Sequence, residues 1–308
     1  MKSNKEVTLI IKTFIRIDCV VRLLKSIKRY ANGYPIIICD DGIDKEKNKE
    51  YIISKFTDMD IEYICAEEDI GLSAGRNLLI DHVKTKYFLL CDDDFVFFKK
   101  TDLEIAKKLL QDNELDILGG LCLHANRIEF GSKTEKINLI VRKIRTTFKI
   151  YRKVGYNGKI ERENKNINIY LKKMNYNSDK IEDTDICENF FIADTEKVKK
   201  VRWHDKLKLN EHEDFFIRAK EANLKIGVTA AFQVYHYPEQ DAKFKIHRQK
   251  NYYEEVMKNN NLENLVIYRS AVGVIQHYQM INDKLVMKQS YTKNLLGIMK
   301  KVYYKLKK

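Results

Sequence analysis

The sequence contains only two prolines in 308 residues, and it has no internal repeat and no Pro-rich or Gly/Ser-rich linker. These absences favour one compact domain with an appended C-terminal segment. With 44% hydrophobic and 33% charged residues, the composition is that of a globular protein with ample material for a core.

Long apolar runs are also absent. The first residues, MKSNKEVTLIIKTF, contain an apolar run too short for a signal peptide, and no stretch reaches the ~18 apolar residues of a membrane-spanning helix. The six cysteines show no metal-binding spacing. Cys39, Cys65 and Cys91 lie in apolar runs, where free thiols behave as small hydrophobic groups, so we expect a cytoplasmic protein.

Positive charge is in excess. The formal net charge of +13 predicts an anionic partner, which can be a nucleotide, a nucleic acid or an acidic membrane. Residues 284–308 contain eight lysines and no acid, with apolar residues at helical spacing from Leu295 to Leu306. One interpretation is a basic amphipathic helix on an anionic bilayer, which would make the protein peripheral at the inner face of the membrane. The other is a solvated helix that packs on the body of the protein.

The first 125 residues alternate between apolar strand-like runs and helix-like runs. The predicted strands are Val7–Lys12, Pro35–Cys39, Ile61–Ala66, Tyr87–Cys91 and Ile117–Leu123. The predicted helices between them include Ile17–Ala31, Ser73–Val83, with Ser73 as N-cap, and Asp102–Leu110. Such alternation predicts the α/β class, with a parallel, doubly wound, Rossmann-like sheet.

Beyond this region the pattern changes. Residues 131–180 are rich in Lys, Asn and Tyr, and we interpret them as an insertion of irregular or antiparallel structure near the site. Further on, the sequence predicts a helix over Glu211–Asn223, a strand over Lys225–Thr229 and a segment over Phe232–Tyr237. Two more helices are predicted near Asp241–Lys258 and Leu262–Gln279. The predicted organisation is therefore a main domain over 1–240 and C-terminal helices with a basic tail over 241–308.

Polar residues follow four of the predicted strands. These are Thr13, Asp41, Glu67–Asp69 and Asp92–Asp94. The carboxyl ends of parallel strands share one edge of a sheet, and ligands bind there, so the four groups predict a single site. The acids Asp92 and Asp94 project to one side and suit a hard divalent cation, whereas Asp93 points elsewhere. The alternative is an acidic turn.

Five segments of the sequence together resemble a known family. VTLIIKTF, IIICDDG, DIGLSAGRN, YFLLCDDDFVF and NFFIADTEKVKKVRWHDKLKLNEHEDFFIRAKEANLKIG are together similar to GT-A fold glycosyltransferases of the family 2 type. The resemblance covers most of 7–240 except the insertion. The EHEDFF motif resembles the branch of β-1,4-N-acetylgalactosaminyltransferases.

The resemblance implies a role for each matching residue. On the donor side it implies contacts to the nucleotide from Thr13 and Arg16, to the uracil imide from Asp41, and to the diphosphate and sugar from Gly71 and Arg76. It assigns Asp92 and Asp94 to Mn²⁺ or Mg²⁺, with Asp92 also next to the diphosphate. His236 matches a further metal ligand, and ordinary packing is the alternative. Asp93 is expected to serve the nucleotide-sugar or the local turn.

An inverting transfer also needs a base that takes the proton of the acceptor hydroxyl. The resemblance places this base in the segment Glu211–Asp214, whose sequence departs from the usual pattern E-D-x-[DE]. Alignment on Arg218 puts His212 at the position of the usual aspartate, and alignment on the Glu-Asp pair selects Glu213 and Asp214. We favour Glu213 or Glu211, and His212 stays an open alternative.

Two structural interpretations of this segment also stay open, namely a capping box from Asn210 to Glu213 and an ion pair between Asp214 and Arg218. Trp203, the only tryptophan, falls where relatives form an acceptor platform, and core packing is its alternative.

The sequence thus predicts an inverting, metal-dependent glycosyltransferase that uses a UDP-sugar. The expected acceptor is a hydroxyl of a surface glycan such as lipooligosaccharide or capsule. One rival is a metal-dependent nucleotidyl- or phosphotransferase, but GLSAGRN lacks the lysine of a phosphate-binding loop. A second rival is a nucleic-acid-binding protein, but no recognised module for nucleic acid is present, and we expect no such partner.

Overall fold

The computed structural model describes residues 5–124, 152–153, 155–238, 252–270 and 273–291. Elements are numbered in chain order within those ranges. The helices are α1 (Ile17–Tyr30), α2 (Lys45–Lys55), α3 (Leu72–His82), α4 (Leu103–Asp112), α5 (Thr195–Val201), α6 (Glu211–Glu221) and α7 (Tyr253–Asn259). The strands are β1 (Val7–Thr13), β2 (Ile36–Asp40), β3 (Ile61–Cys65), β4 (Tyr87–Asp92), β5 (Phe95–Val96), β6 (Ile117–His124), β7 (Arg152–Lys153), β8 (Tyr156–Glu163), β9 (Asn166–Lys173), β10 (Glu182–Thr184), β11 (Phe191–Asp194), β12 (Ile226–His236), β13 (Asn264–Arg269), β14 (Val274–Ile281) and β15 (Lys284–Tyr291).

The larger sheet has the strand order β10-β12-β6-β11-β4-β1-β2-β3, with β5 beside β12 and β7 beside β6. Strands β1 to β4 are parallel, as the alternating pattern predicts. Strand β11 runs antiparallel between β4 and β6, and β10 runs antiparallel to β12. The prediction of a parallel sheet did not include these two strands, which are too short for the sequence to indicate their direction.

Both faces of this sheet are covered, which explains why its strands are apolar throughout. In β1, Ile10 belongs to one buried cluster, whereas Leu9 and Ile11 belong to the other, because successive side chains point to opposite faces. Helix α3 covers the first face with Leu79 and Ile80. Helix α1 covers the second face with side chains such as Val20, Leu24 and Ile27.

Two details of the main domain differ from the prediction. Helix α3 starts one residue before Ser73, after Gly71, whose φ of 91° is readily adopted only by glycine. Ser73 is therefore inside the helix rather than its N-cap. The strand and segment predicted over 225–237 form one strand, β12, with an irregularity in its register between Val228 and Gln233.

The smaller sheet has the order β15-β14-β13-β9-β8. Strands β8 and β9 form an antiparallel hairpin inside the predicted insertion, which confirms antiparallel structure for residues 156–173. Strand β9 pairs in parallel with β13, from Asn166 opposite Asn264 to Leu171 opposite Arg269. The inward-facing residues of both strands are buried, namely Ile167, Ile169, Leu265 and Ile267.

The prediction of C-terminal helices is wrong over Leu262–Gln279, because that segment contains β13 and most of β14. Of the helix predicted near Asp241–Lys258, the described part is α7. Short apolar runs do not distinguish a strand from a helix. Here β13 is fixed by pairing with β9, about 100 residues earlier, and β14 by pairing with β13 and β15. The division at residue 240 stays a prediction, although the insertion and the C-terminal segment share this sheet.

The basic tail begins as a strand, because β15 starts at Lys284. Residues 292–308, which carry the helical pattern, lie outside the described residues, so the amphipathic helix stays a prediction. Among the helices that are described, none combines the length and the apolar character needed to cross a membrane.

Replacement of Ile267 by alanine should lower the free energy of unfolding by about 2–4 kcal/mol, because it leaves a cavity where β13 packs on the core. Chemical denaturation measures this loss. Val266→Ala is the matched control, since Val266 is only partly buried on the same strand, and it should cost less. Equal losses in the two variants would contradict the buried position of Ile267.

Candidate functional site

A pocket with a cavity volume of about 690 Å³ lies where β1, β2 and β4 end and where α6 begins. Its walls contain all seven residues predicted to bind the nucleotide-sugar, which are Thr13, Arg16, Asp41, Gly71, Arg76, Asp92 and Asp93. They also contain the predicted metal ligands Asp94 and His236 and the two favoured bases, Glu211 and Glu213. The fold therefore brings together residues that are up to about 220 positions apart in the chain.

Asp93 is fully buried, and the protein itself satisfies its carboxylate. The hydroxyl of Thr13 donates to Oδ2 at 2.8 Å, and Nε of Arg16 donates to the same oxygen at 3.2 Å. Arg16 also binds Asp94, with 3.1 Å between NH1 and Oδ2. Burial raises the pKa of Asp93 to about 7 despite the opposing charge of Arg16. Asp93 therefore fixes the link between β1 and α1. Of its two expected roles, the one in the local turn fits these contacts.

Asp92 and Asp94 flank this buried acid and reach the pocket together with His236. Nε2 of His236 lies 3.2 Å from Oδ1 of Asp94, and the Asp92 side chain is 32% exposed. Burial by itself would lower the pKa of His236, but the hydrogen bond and the charge of Asp94 outweigh it and raise the pKa.

Two carboxylates and an imidazole with surplus negative charge nearby suit Mn²⁺ or Mg²⁺. The described ranges contain no ready-made group of three His, Cys, Asp or Glu ligands. The donor set therefore fits a cation that takes its remaining ligands from phosphate oxygens, as Mg²⁺ often does.

Asp41 is held by a lysine that the sequence did not single out. The ammonium group of Lys12 pairs with Oδ1 of Asp41 and donates to the carbonyl of Thr13 at 2.9 Å. The backbone N–H of Gly71 donates to Oδ2 of Asp41 at 3.0 Å. The stem of Lys12 crosses Gly75, where any Cβ would collide with it. A lysine inside an otherwise apolar strand was the signal for this buried pair.

Arg76 connects the two halves of the pocket. It is 1% exposed, and it donates through NH1 to Glu211 at 2.7 Å and through NH2 to Asp92 at 3.3 Å. A planar guanidinium with several donors can hold two carboxylates at once. One side chain therefore fixes the acidic strand end relative to the first turn of α6.

The first turn of α6 carries Glu211, His212 and Glu213 in the pocket wall. Asp214 is absent from that wall and fully buried, where Arg218 donates to Oδ2 at 2.6 Å and Asn260 donates to Oδ1 at 2.8 Å. The ion pair with Arg218 is confirmed. We therefore withdraw Asp214 as a base, because its carboxylate is enclosed by these two partners.

The alternative of a capping box at the start of α6 is wrong. Asn210 adopts the left-handed conformation, with φ of 61°, and its side chain makes no capping hydrogen bond. Its Oδ1 instead accepts from the backbone N–H of Tyr252 at 3.1 Å. The residue thus ties α6 to the segment before α7.

The prediction of Trp203 as an acceptor platform is also wrong. Its side chain is 3% exposed and stacks on Phe215, with 4.6 Å between ring centroids. Its backbone N–H and C=O are both bound by the side-chain amide of Asn77, at 2.9 and 2.7 Å. Core packing, the open alternative, explains this residue.

Several pocket residues were missed. Tyr156 comes from β8, Glu188 and Asn189 precede β11, and Lys208 lies between α5 and α6. Oε1 of Glu188 is buried and has no hydrogen-bond partner among the described residues, and burial raises the pKa of this side chain to about 8. Arg269 of β13 binds Glu213 behind the pocket, with 3.1 Å between NH2 and Oε1. Asn189 and Lys208 lie inside the longest quoted motif without standing out from it, and Tyr156, Glu188 and Arg269 lie in no quoted motif.

A sequence model of the family described as "Glycosyl transferase family 2" matches residues 8–202. Mouse (Mus musculus) Beta-1,4 N-acetylgalactosaminyltransferase 1 is 30% identical over 217 residues, covering 68% of this chain and 35% of that protein. Mouse Beta-1,4 N-acetylgalactosaminyltransferase 2 is 38% identical over 120 residues, covering 39% and 22%. The chain thus spans about a third, or less, of the length of these relatives.

Among solved structures, S. aureus TarS 1-349 in complex with UDP-GlcNAc superimposes with a TM-score of 0.56 at 14% identity. The superposition covers 83% of this chain and 65% of TarS. The complex of the same protein with UDP gives a TM-score of 0.52. At this identity the likeness shows the fold alone, and it confirms the predicted GT-A fold.

Replacement of Lys12 by methionine should cost about 3–5 kcal/mol of unfolding free energy, because it leaves Asp41 buried without its cation. The double variant Lys12→Met/Asp41→Asn should recover part of the loss. Lys28→Met is the matched control, since its pair with Asp58 is exposed and should contribute little to stability. Equal losses in the two lysine variants, measured by urea denaturation, would contradict the buried pair.

Proposed function

Because the chain belongs to glycosyl transferase family 2, we propose that it moves a sugar from a UDP-sugar to a hydroxyl of a glycan acceptor, with inversion at the anomeric carbon. The observation that carries this proposal is the pocket itself. It places two carboxylates and an imidazole suited to a divalent cation beside a second acidic segment at the start of α6. We expect phosphate binding at the first of these groups and proton removal at the second.

The donor side is the edge formed by β1, β2 and α3. Asp41 is proposed to accept a hydrogen bond from the uracil imide, and Lys12, Gly71 and Lys208 surround it in the pocket wall. The complexes of TarS with UDP-GlcNAc and UDP support a uridine diphosphate sugar, because that protein shares this fold. The names of the mouse relatives favour an N-acetylhexosamine as the transferred sugar.

Asp92, Asp94 and His236 are the residues proposed to hold Mn²⁺ or Mg²⁺. A cation held by these residues would neutralise the charge that develops on the departing diphosphate. Arg76 remains beside Asp92 and supplies further positive charge, while Arg16 keeps Asp94 in place from behind. The chain itself therefore contributes two carboxylates that Arg76 and Arg16 hold in fixed positions.

The acceptor is proposed to enter from the side of the smaller sheet. Tyr156 of that sheet and Glu188, Asn189 and His212 line this part of the pocket. The chemical step requires a base near the acceptor hydroxyl, and the first turn of α6 supplies it. A surface glycan acceptor is consistent with a peripheral position at the membrane, which the basic residues 292–308 would provide.

Incubation with a panel of UDP-sugars and Mn²⁺ should release UDP for at least one donor, and a chelator should stop the release. Asp94→Asn should reduce kcat at least 100-fold, since it removes one of two charged metal ligands. Asp112→Asn, on an exposed site at the end of α4, is the control and should retain full activity. Absence of UDP binding and of turnover with every donor would refute the proposed function.

Deletion of residues 292–308 should reduce sedimentation of the protein with anionic liposomes, because it removes six lysines. The shortened protein ends at Tyr291, so that β15 and the smaller sheet stay intact. Neutral liposomes serve as the control surface. Equal binding of both proteins to anionic liposomes would exclude the tail as a membrane anchor.

A further inference from the structure

Each of the three carboxylates in the first turn of α6 has its own arginine, and each arginine comes from a different position in the fold. The pairs are Glu211 with Arg76 at 2.7 Å, Glu213 with Arg269 at 3.1 Å, and Asp214 with Arg218 at 2.6 Å. A carboxylate in a charge-assisted hydrogen bond holds the charge that its partner requires. Uptake of a proton by Glu213 or Asp214 would leave Arg269 or Arg218 without this counter-charge, and uptake by Glu211 would leave Arg76 with Asp92 alone.

His212 lies between these acids in sequence, and it lines the same pocket. Its Nδ1 is 2.8 Å from Oδ1 of Asn189. The amide nitrogen of Asn189 faces Oε1 of Glu211 at 3.4 Å, which orients the amide, because a carboxylate only accepts hydrogen bonds. The amide oxygen must therefore face His212, so Nδ1 carries the hydrogen and Nε2 carries a lone pair.

None of the described residues uses this lone pair. Nε2 is buried and has no hydrogen-bond partner within the described ranges. The ring is held in place by aromatic neighbours, with centroid distances of 5.0 Å to Phe216 and 6.3 Å to Tyr156. Most buried polar side-chain atoms have a hydrogen-bond partner, so a ring with one nitrogen fixed and the other unpaired in a pocket wall is suited to bind a ligand.

The surroundings keep the imidazole neutral. Burial lowers the pKa of His212, and this effect is larger than that of any nearby charge. The charged groups that face it are of both signs, with Glu213 and Glu211 raising the pKa and Arg76 and Arg269 lowering it. A neutral imidazole at neutral pH is ready to accept a proton.

We propose that His212, and not one of the three carboxylates beside it, is the general base of the transfer, with Asn189 as the residue that fixes its tautomer. This inference rests on the proposed function. In the step, Nε2 takes the proton of the acceptor hydroxyl while the hydroxyl oxygen forms a bond to the anomeric carbon. The bond from that carbon to the diphosphate oxygen breaks, and its electron pair leaves with UDP. The imidazolium then returns its proton to solvent.

The first experiment compares conservative variants. His212→Asn retains an N–H group that can donate to Asn189 but has no basic nitrogen. It should lower kcat at least 100-fold with the donor that the wild type uses best, while the Kd for UDP changes less than twofold. His82→Asn, on an exposed histidine at the end of α3, is the control and should retain wild-type kcat. A loss of less than tenfold for His212→Asn would overturn the proposal.

The second experiment reads the pH profile. For a neutral histidine base, kcat/KM falls as pH drops through the pKa of His212, because the protonated ring cannot accept a proton. Asn189→Asp places a carboxylate against Nδ1–H, favours the imidazolium and should move this acid limb to higher pH. Glu211→Gln and Glu213→Gln should retain an acid limb. Loss of the limb in Glu213→Gln, or no movement in Asn189→Asp, would identify a carboxylate as the base instead.

The third experiment does not need turnover and therefore separates this inference from the proposed function. NMR of ¹⁵N-histidine-labelled protein, with the His212 signals assigned through His212→Asn, reports the protonation of each ring nitrogen. At pH 7 we expect a hydrogen on Nδ1 and none on Nε2. A hydrogen on Nε2 would contradict the inferred tautomer even if the enzyme transfers sugar.

Discussion

Three consecutive carboxylates at the end of a buried strand require positive charge, and the rest of the site is arranged to supply it. Arg16 enters from the start of α1 and binds Asp93 and Asp94. Arg76 enters from α3 and binds Asp92. An uncompensated buried carboxylate would cost several kcal/mol, so the positions of both helices relative to β4 are coupled to this acidic cluster. A metal at Asp92 and Asp94 would therefore enter a site whose geometry is already fixed.

The parallel part of the larger sheet, from β1 to β4, could be predicted from sequence, because its pattern of strands and helices is local. Apolar strands end in polar residues such as Thr13 and Asp41, and parallel strands must present those ends at one edge. The resemblance also predicts the acid-base group in the segment that forms the first turn of α6, where the unusual histidine is visible in the sequence. What the sequence did not provide was the partner of each side chain, since Arg76, Asn189 and Arg269 come from three distant segments.

The C-terminal half was predicted less well for a physical reason. Strands β13 and β14 are half-buried and β15 is mostly exposed, so their apolar pattern is weak. The pairing that joins them to the smaller sheet is that of β13 with β9, nearly a hundred residues earlier. One local signal was present. Asn282 and Asp283, both with positive φ, form the two-residue connection between β14 and β15, and such a pair is typical of a hairpin turn. Trp203 was misplaced because burial of an aromatic residue depends on neighbours such as Phe215, which lie outside its own segment.

The pairing of β9 with β13 also has a consequence in time. Residues 156–173 leave the ribosome about a hundred residues before the strand that they need, whereas β1 to β4 have all their parallel partners within the first 92 residues. During synthesis β1 to β4 can therefore pair before β13 has been made, and Arg269 joins the pocket wall later. A nascent chain of this protein can thus bring the ends of β1, β2 and β4 together before the strand that carries Arg269 takes its place beside β9.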